Sequence, residues 1–215
     1  MISDERRWIM IPGMAADERL FEPQRRAFPN LIVPKWIEPQ GLEPLASYAR
    51  RLVESIDSNV PASIGGVSFG GMIALEIAAY LHVESCYLIS SVRSPSEYPF
   101  RFRVIRPLAR FGPDRLGDLA VFLSRRIAYG RMRAEARRLG RLAGPRGAFL
   151  RWACWSALAW EPSPETRSVQ TYQIHGSRDR TFPVRKSPDI EVVEGGGHLL
   201  TLTHPERVNE FLRRK

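Results

Sequence analysis

Gly66-Val67-Ser68-Phe69-Gly70 is the stretch that most limits how this chain can fold. It follows the short apolar segment Ala62-Ser63-Ile64-Gly65 and opens the helix-prone run from Met72 to Ala79. A strand must therefore turn sharply into a helix with a serine at the corner, the setting that gives G-x-S-x-G its chemical meaning. Two residues before and two after that serine, a side chain would collide with the neighbouring strand and helix. Glycine removes the collision and tolerates unusual backbone angles. The N–H of Phe69 then falls at the helix N-terminus, where it is placed to stabilise an oxyanion. The plainer alternative is that a glycine-rich turn is only a turn.

Two further residues complete a chemical pattern. Thr171 to Gly176 reads as a strand ending at a glycine, and Asp179 follows on the loop. Ile190 to Val193 reads as another strand, followed by Glu194-Gly195-Gly196-Gly197-His198. Ser68, Asp179 and His198 thus each sit just past the C-terminal end of a predicted strand. In a parallel sheet those ends share one edge, so the three loops can converge. The chemistry needs this trio. A serine hydroxyl is a poor nucleophile until a base removes its proton. Histidine titrates near neutrality, so it can take that proton and return it to a leaving group. An aspartate fixes the imidazole tautomer and stabilises the imidazolium. Separately, Asp179 reads equally well as a turn residue and His198 as a loop histidine; it is the combination and its order that point to catalysis. Asp189, the rival acid, precedes its strand and so falls on the wrong edge.

An oxyanion hole needs a second donor. The first strong strand, Arg7 to Ile11, runs directly into Pro12-Gly13-Met14. A glycine there lets the loop lie close to the nucleophile, and the N–H of Met14 is the natural partner of the Phe69 N–H. Pro12-Gly13 as a simple turn is the alternative.

Apolar runs at Trp8 to Ile11, Leu31 to Val33, Ser63 to Gly65, Cys86 to Ile89, Thr171 to Ile174 and Ile190 to Val193 predict six short strands. Continuously apolar strands are buried on both faces, which implies a parallel sheet flanked by helices. Leu45 to Ile56 is the clearest helix, with Leu45, Tyr48, Ala49, Leu52, Val53 and Ile56 on the 3.6-residue period. Thr203-His204-Pro205-Glu206 reads as a capping box opening the last helix. At 215 residues, 44% of them hydrophobic, the chain has material for one ample core.

Pro12-Gly13-Met14, Gly66 to Gly70, His175-Gly176-Ser177-Arg178-Asp179 and Gly196-Gly197-His198 together resemble the α/β-hydrolase superfamily over nearly the whole chain. The order serine, acid, histidine is that of the superfamily. Pro12 stands where its members often carry histidine, and the chain starts directly at the strand carrying Trp8, without the two strands that usually open the sheet. The resemblance implies a hydrolase core over residues 1–93 and 167–215, with a helical cap over 94–166 between the fourth and fifth strands. Helices are expected there at Asp114 to Ile127, Arg131 to Leu142 and Arg146 to Trp160. Trp152, Trp155 and Trp160 belong to this cap, either lining an acyl pocket or forming its core.

The cap also concentrates charge. Residues 101–151 hold fourteen arginines against Asp114, Asp118 and Glu135, whereas the whole chain is +9. Such a field can attract an anionic substrate such as acyl-coenzyme A or acyl carrier protein. Solvated arginines on amphipathic helices, in a chain where arginine dominates lysine throughout, are the alternative. No nucleic-acid motif accompanies the charge, and no apolar run approaches the ~20 residues of a membrane span. Met1 to Arg7 is charged and leads directly into a strand, which is not the pattern of a signal peptide. Cys86 and Cys154 read as reduced core residues of a cytoplasmic protein. No residues have metal-ligand spacing, no dinucleotide or phosphate loop is present, and no cofactor is expected. The expected function is a serine hydrolase acting on an ester or thioester. Acyl transfer with the same triad and an inactive binding protein on this scaffold are the rivals.

Overall fold

The computed structural model describes residues 7–14, 16–56, 62–83, 85–112, 147–184 and 187–214. Its centre is a six-stranded sheet: β1 (Arg7–Ile11), β2 (Leu31–Ile32), β3 (Ala62–Val67), β4 (Ser85–Ile89), β5 (Gln170–Gly176) and β6 (Ile190–Val193). The spatial order is β2-β1-β3-β4-β5-β6, and every neighbouring pair is parallel. This is the sheet the apolar runs predict. The chain first steps outward from β1 to β2, then returns to the other side of β1 to lay down β3. The loops after β1 and β3 therefore leave the sheet at its switch point, where a crevice opens at the carboxyl ends of the strands.

Side-chain alternation divides the core in two. Ile9, Ile11, Ile64, Cys86 and Leu88 face helices α2 (Leu45–Glu54) and α3 (Phe69–Tyr80). Trp8, Met10, Val67, Tyr87, Ile89 and Ile174 face the opposite layer, where Phe28, Val208, Phe211 and Leu212 pack. That layer contains α1 (Glu22–Ala27), the short α6 (Leu200–Thr203) and the C-terminal α7 (Pro205–Arg213). The two helices of the first layer differ. α2 buries only its predicted stripe, whereas α3 is buried from Phe69 to Ala79, including Glu76.

Between β4 and β5 the described residues form α4 (Phe100–Ile105), a 3₁₀ segment (Arg106–Phe111) and α5 (Ala148–Ala159). α5 is the last of the three expected cap helices. The expected helices at Asp114 to Ile127 and Arg131 to Leu142 lie outside the described residues, as do nine of the fourteen cap arginines. α4 was not anticipated from periodicity. All three cap tryptophans donate indole hydrogen bonds: Trp152 to the Glu43 carbonyl at 3.0 Å, Trp155 to that of Ala109 at 2.7 Å and Trp160 to Glu76 Oε1 at 2.7 Å. Trp152 and Trp160 are buried in the main core, which settles the choice between pocket and core in favour of core for these two.

The capping box at the last helix does not form. Thr203 Oγ1 instead donates back to the Leu199 carbonyl at 3.0 Å, because a short helix already occupies Leu200–Thr203. The helix Pro205–Arg213 begins behind His204 with no side-chain cap. Among the described residues no helix is long and apolar enough to cross a membrane.

Candidate active site

Ser68 occupies the corner between β3 and α3 with φ 55° and ψ −122°. A non-glycine residue rarely adopts that conformation, which costs on the order of 1–3 kcal/mol and persists only where the surroundings enforce it. Here three hydrogen bonds hold it. Its N–H donates to the Ile89 carbonyl at 3.0 Å, and its carbonyl accepts from the Gly71 N–H at 2.9 Å. The same carbonyl accepts from Ser91 Oγ at 2.6 Å. The flanking glycines are required by contact. A Cβ on Gly66 would run into the backbone of Gly70, and one on Gly70 into the carbonyls of Ile11 and Pro12.

The loop after β1 lies against this corner. A Cβ placed on Gly13 would stand 3.9 Å from Ser68 Cβ and 3.7 Å from the Val67 carbonyl oxygen. Met14 follows at once, and its sulfur accepts from Cys154 of α5 at 3.7 Å. Phe69 is the first residue of α3, so its N–H is one of the donors a helix start leaves without an intrahelical partner. Met14 and Phe69 thus lie on the two loops that meet at the switch point.

Asp179 and His198 are brought together. His198 Nδ1 and Asp179 Oδ2 are 2.8 Å apart, in surroundings that leave Asp179 4% and His198 9% exposed. Two close backbone approaches make this possible. Gly176 abuts the carbonyl of Gly196 so tightly that a Cβ would overlap it, and the Arg178 N–H donates to that carbonyl at 2.8 Å. The acid's second oxygen, Oδ1, accepts the N–H groups of Thr181 at 2.8 Å and Phe182 at 3.0 Å. Burial alone pushes the Asp179 carboxyl upward and is the largest single influence. The charge and hydrogen bond of His198, with the Phe182 and Thr181 N–H groups, outweigh it and leave the pKa below the usual carboxylate value. Asp179 is therefore an ionised hydrogen-bond acceptor near neutrality. Asp189 is exposed and precedes β6, on the other edge of the sheet.

Three further groups support the site, and of these the sequence marked only His175, as the first residue of the motif that runs to Asp179. Ser91 holds the Ser68 carbonyl, as above. The Phe182 ring lies 6.0 Å from that of His198. His175, buried on β5, has its pKa lowered, first by burial and also by His198, against opposing pulls from Asp179, the Ser91 carbonyl and Glu97. Ser91 and Phe182 have no local sequence signature, since each acts on a residue distant in the chain, Ser91 on Ser68 and Phe182 on His198. Among the described residues no group of His, Cys, Asp and Glu side chains is arranged to hold a metal ion.

Residues 10–211 match the family model described as the alpha/beta hydrolase family. The match spans nearly the whole chain, and the protein belongs to that family. Solved structures agree on the fold. An esterase from Thermogutta terrifontis is 18% identical with a TM-score of 0.62, over 97% of this chain and 88% of that one. An enol-lactonase from Burkholderia xenovorans is 15% identical with a TM-score of 0.63, over 100% and 92%. An epoxide hydrolase from Bacillus megaterium is 11% identical with a TM-score of 0.66, over 99% and 93%. Comparison with curated protein sequences gives no match.

Proposed function

We propose that this protein is a serine hydrolase that cleaves a carboxylic ester or thioester through an acyl-enzyme on Ser68. The observation that carries the reading is the 2.8 Å hydrogen bond between His198 Nδ1 and Asp179 Oδ2. A carboxylate can only accept, so the imidazole proton sits on Nδ1 and Nε2 is left as the base. In this reading His198 Nε2 takes the Ser68 hydroxyl proton as the oxygen attacks the carbonyl carbon. The N–H groups of Met14 and Phe69 stabilise the resulting oxyanion. Collapse breaks the bond to the alcohol or thiol, which leaves with the proton from His198. Water, deprotonated by the same histidine, then attacks the acyl-enzyme; the acid departs and Ser68 regains its proton. Epoxide hydrolysis on this fold uses an aspartate nucleophile, and the serine at position 68 disfavours it.

The segment 94–166 acts in this reading as a cap over the same sheet edge. The contact of Cys154 on α5 with Met14 supports that placement. A reduced, cytoplasmic setting fits Cys86 and Cys154, both free. An anionic substrate draws little support from the described arginines. Arg101 donates to the carbonyls of Arg180 and Thr181, and Arg106 donates to that of Trp160.

A fluorophosphonate probe tests the mechanism. The wild-type protein is expected to be labelled at Ser68, and Ser68→Ala to lose both the label and turnover of p-nitrophenyl esters and acyl-thioesters. The expected fall in kcat is on the order of 10⁴–10⁶-fold. Turnover undiminished in Ser68→Ala would overturn the proposal.

A further inference from the structure

Behind the serine corner lies a buried polar shelf that joins it to the strand preceding the acid. Ser90 and Ser91 follow β4, and both are fully buried. Ser90 has φ 48°, a conformation that a non-glycine residue holds only where its surroundings enforce it. Its N–H donates to the Ile174 carbonyl of β5 at 2.9 Å. Ser91 reaches back to the end of β3, where its Oγ donates to the Ser68 carbonyl at 2.6 Å. A glycine makes room for that reach. A Cβ on Gly71 would overlap both Oγ and Cβ of Ser91.

The main chain of Ser91 is gripped in turn from β5. Gln173 and His175 lie two residues apart and so share one face of that strand, while Ile174 between them packs into the opposite layer. Gln173 Nε2 donates to the Ser91 carbonyl at 3.3 Å and to Glu97 Oε2 at 3.2 Å. The same Glu97 oxygen accepts the Arg93 N–H at 2.9 Å, which ties down the chain two residues past Ser91. The His175 ring also meets the Ser91 carbonyl. Its Nδ1 has no partner, so the proton it gives is on Nε2. A carbonyl oxygen can accept twice, and the Ser91 carbonyl does so from one strand.

These links end on the strained residue of the site. Ser68 has φ 55°, and its carbonyl accepts from the Gly71 N–H and from Ser91 Oγ. The Gly71 bond lies within the first turn of α3 and moves with that helix. The Ser91 bond instead fixes the corner to the sheet. A nucleophile must sit at a set distance from the carbonyl carbon, and a small displacement slows attack steeply. We propose that Ser91 is a positioning residue for the nucleophile, itself set by Gln173 and His175, so that β5 aligns two members of the proposed triad. It places Asp179 through the turn after Gly176, and Ser68 through Ser91. This inference rests on the reading of Ser68 as the nucleophile.

Two measurements on the full chain test it. The first is the rate of fluorophosphonate labelling per titratable site. Ser91→Ala should still label to completion at Ser68, but about tenfold more slowly, as loss of one hydrogen bond implies, with KM for p-nitrophenyl esters little changed. A merely structural role would lower the titratable fraction and leave the rate per site at the wild-type value, which would overturn the proposal. Gln173→Leu should slow labelling in the same direction and add nothing to Ser91→Ala, because both act through one residue. Additive slowing in that cycle would overturn the relay. The second measurement, hydrogen exchange at the Ser68 N–H, needs no catalysis. Ser91→Ala should speed it relative to the amides of β1, whereas an equal change in both would mean only a loss of global stability and would overturn the proposal. If the wild type is not labelled, the hydrolase reading fails and exchange at Ser68 decides whether Ser91 holds the corner. If Ser91→Ala does not fold, Gln173→Leu carries both measurements with the same expected directions.

Discussion

Around Ser68 main chain meets main chain, whereas at the root of the cap side chains reach across. A Cβ on Gly70 would strike the carbonyls of Ile11 and Pro12, and one on Gly66 would strike Gly70 itself. The corner is specified by what is missing from it. At the far end of the same helix, Glu76 is 3% exposed and receives three donors: Trp160 Nε1 at 2.7 Å, the Ser163 N–H at 3.1 Å and Ser163 Oγ at 2.6 Å. These ties bind the chain leaving the cap to α3, and Trp152 and Trp155 make similar ties to carbonyls elsewhere. Backbone-on-backbone contact tolerates no added atom, because neither partner can rotate away. A side-chain tie can lose one member and keep the rest. The two regions should therefore respond differently to substitution.

After the loss expected for Ser68→Ala, the largest effect is expected at the pair formed by the two tightly apposed loops. Asp179→Asn keeps the shape of the acid but offers His198 the wrong tautomer partner. It should lower kcat by about 10³–10⁴-fold while Asp189→Asn stays near wild type. Steady-state ester hydrolysis measures both, and the reverse ranking would remove Asp179 from the proposed triad.

Gly70→Ala probes the corner directly. Overpacking commonly costs about 1–3 kcal/mol, and more where the obstruction cannot yield. Here the obstruction is carbonyl oxygens of β1 and its loop, so urea denaturation should show a loss at or above the top of that range. A loss below about 0.5 kcal/mol, the scale of ordinary surface changes, would show that the corner can relax and would break the contrast.

The smallest effect belongs to the cap root. Trp160→Phe removes one of the three donors to Glu76 and should cost about 1–3 kcal/mol. Because the two Ser163 donors remain, Trp160→Phe combined with Ser163→Ala should cost more than the sum of the single losses. Additivity in that double-mutant cycle would mean the ties act independently.

Much of this was legible beforehand because it depends on local pattern. Each strand of the sheet coincides with an apolar run, and α2 with a 3.6-residue stripe. The residues nominated for catalysis fall where strand ends place them, and two of them, Asp179 and His198, are found in contact. The errors have physical causes. The Thr203 capping box failed because a preceding helical turn claimed the hydroxyl, a competition between two local hydrogen bonds that sequence does not rank. α4 passed unnoticed because arginine alternates with apolar residues in Phe100–Ile105, which hides the helical period.

The sequence by itself determined where the chain must turn sharply, which strands lie buried on both faces and which residue types could do acyl chemistry. Those properties follow from side-chain size, polarity and spacing along a few consecutive residues. Tertiary structure alone decided that Ser91 would hold the Ser68 carbonyl, that His198 would meet the Asp179 carboxylate, and that the tryptophans would serve as struts. It also decided that Gln173 and His175 would line a cavity beside the acid loop. Each depends on atoms far apart in the chain meeting within hydrogen-bond distance, and only the packed sheet sets that distance.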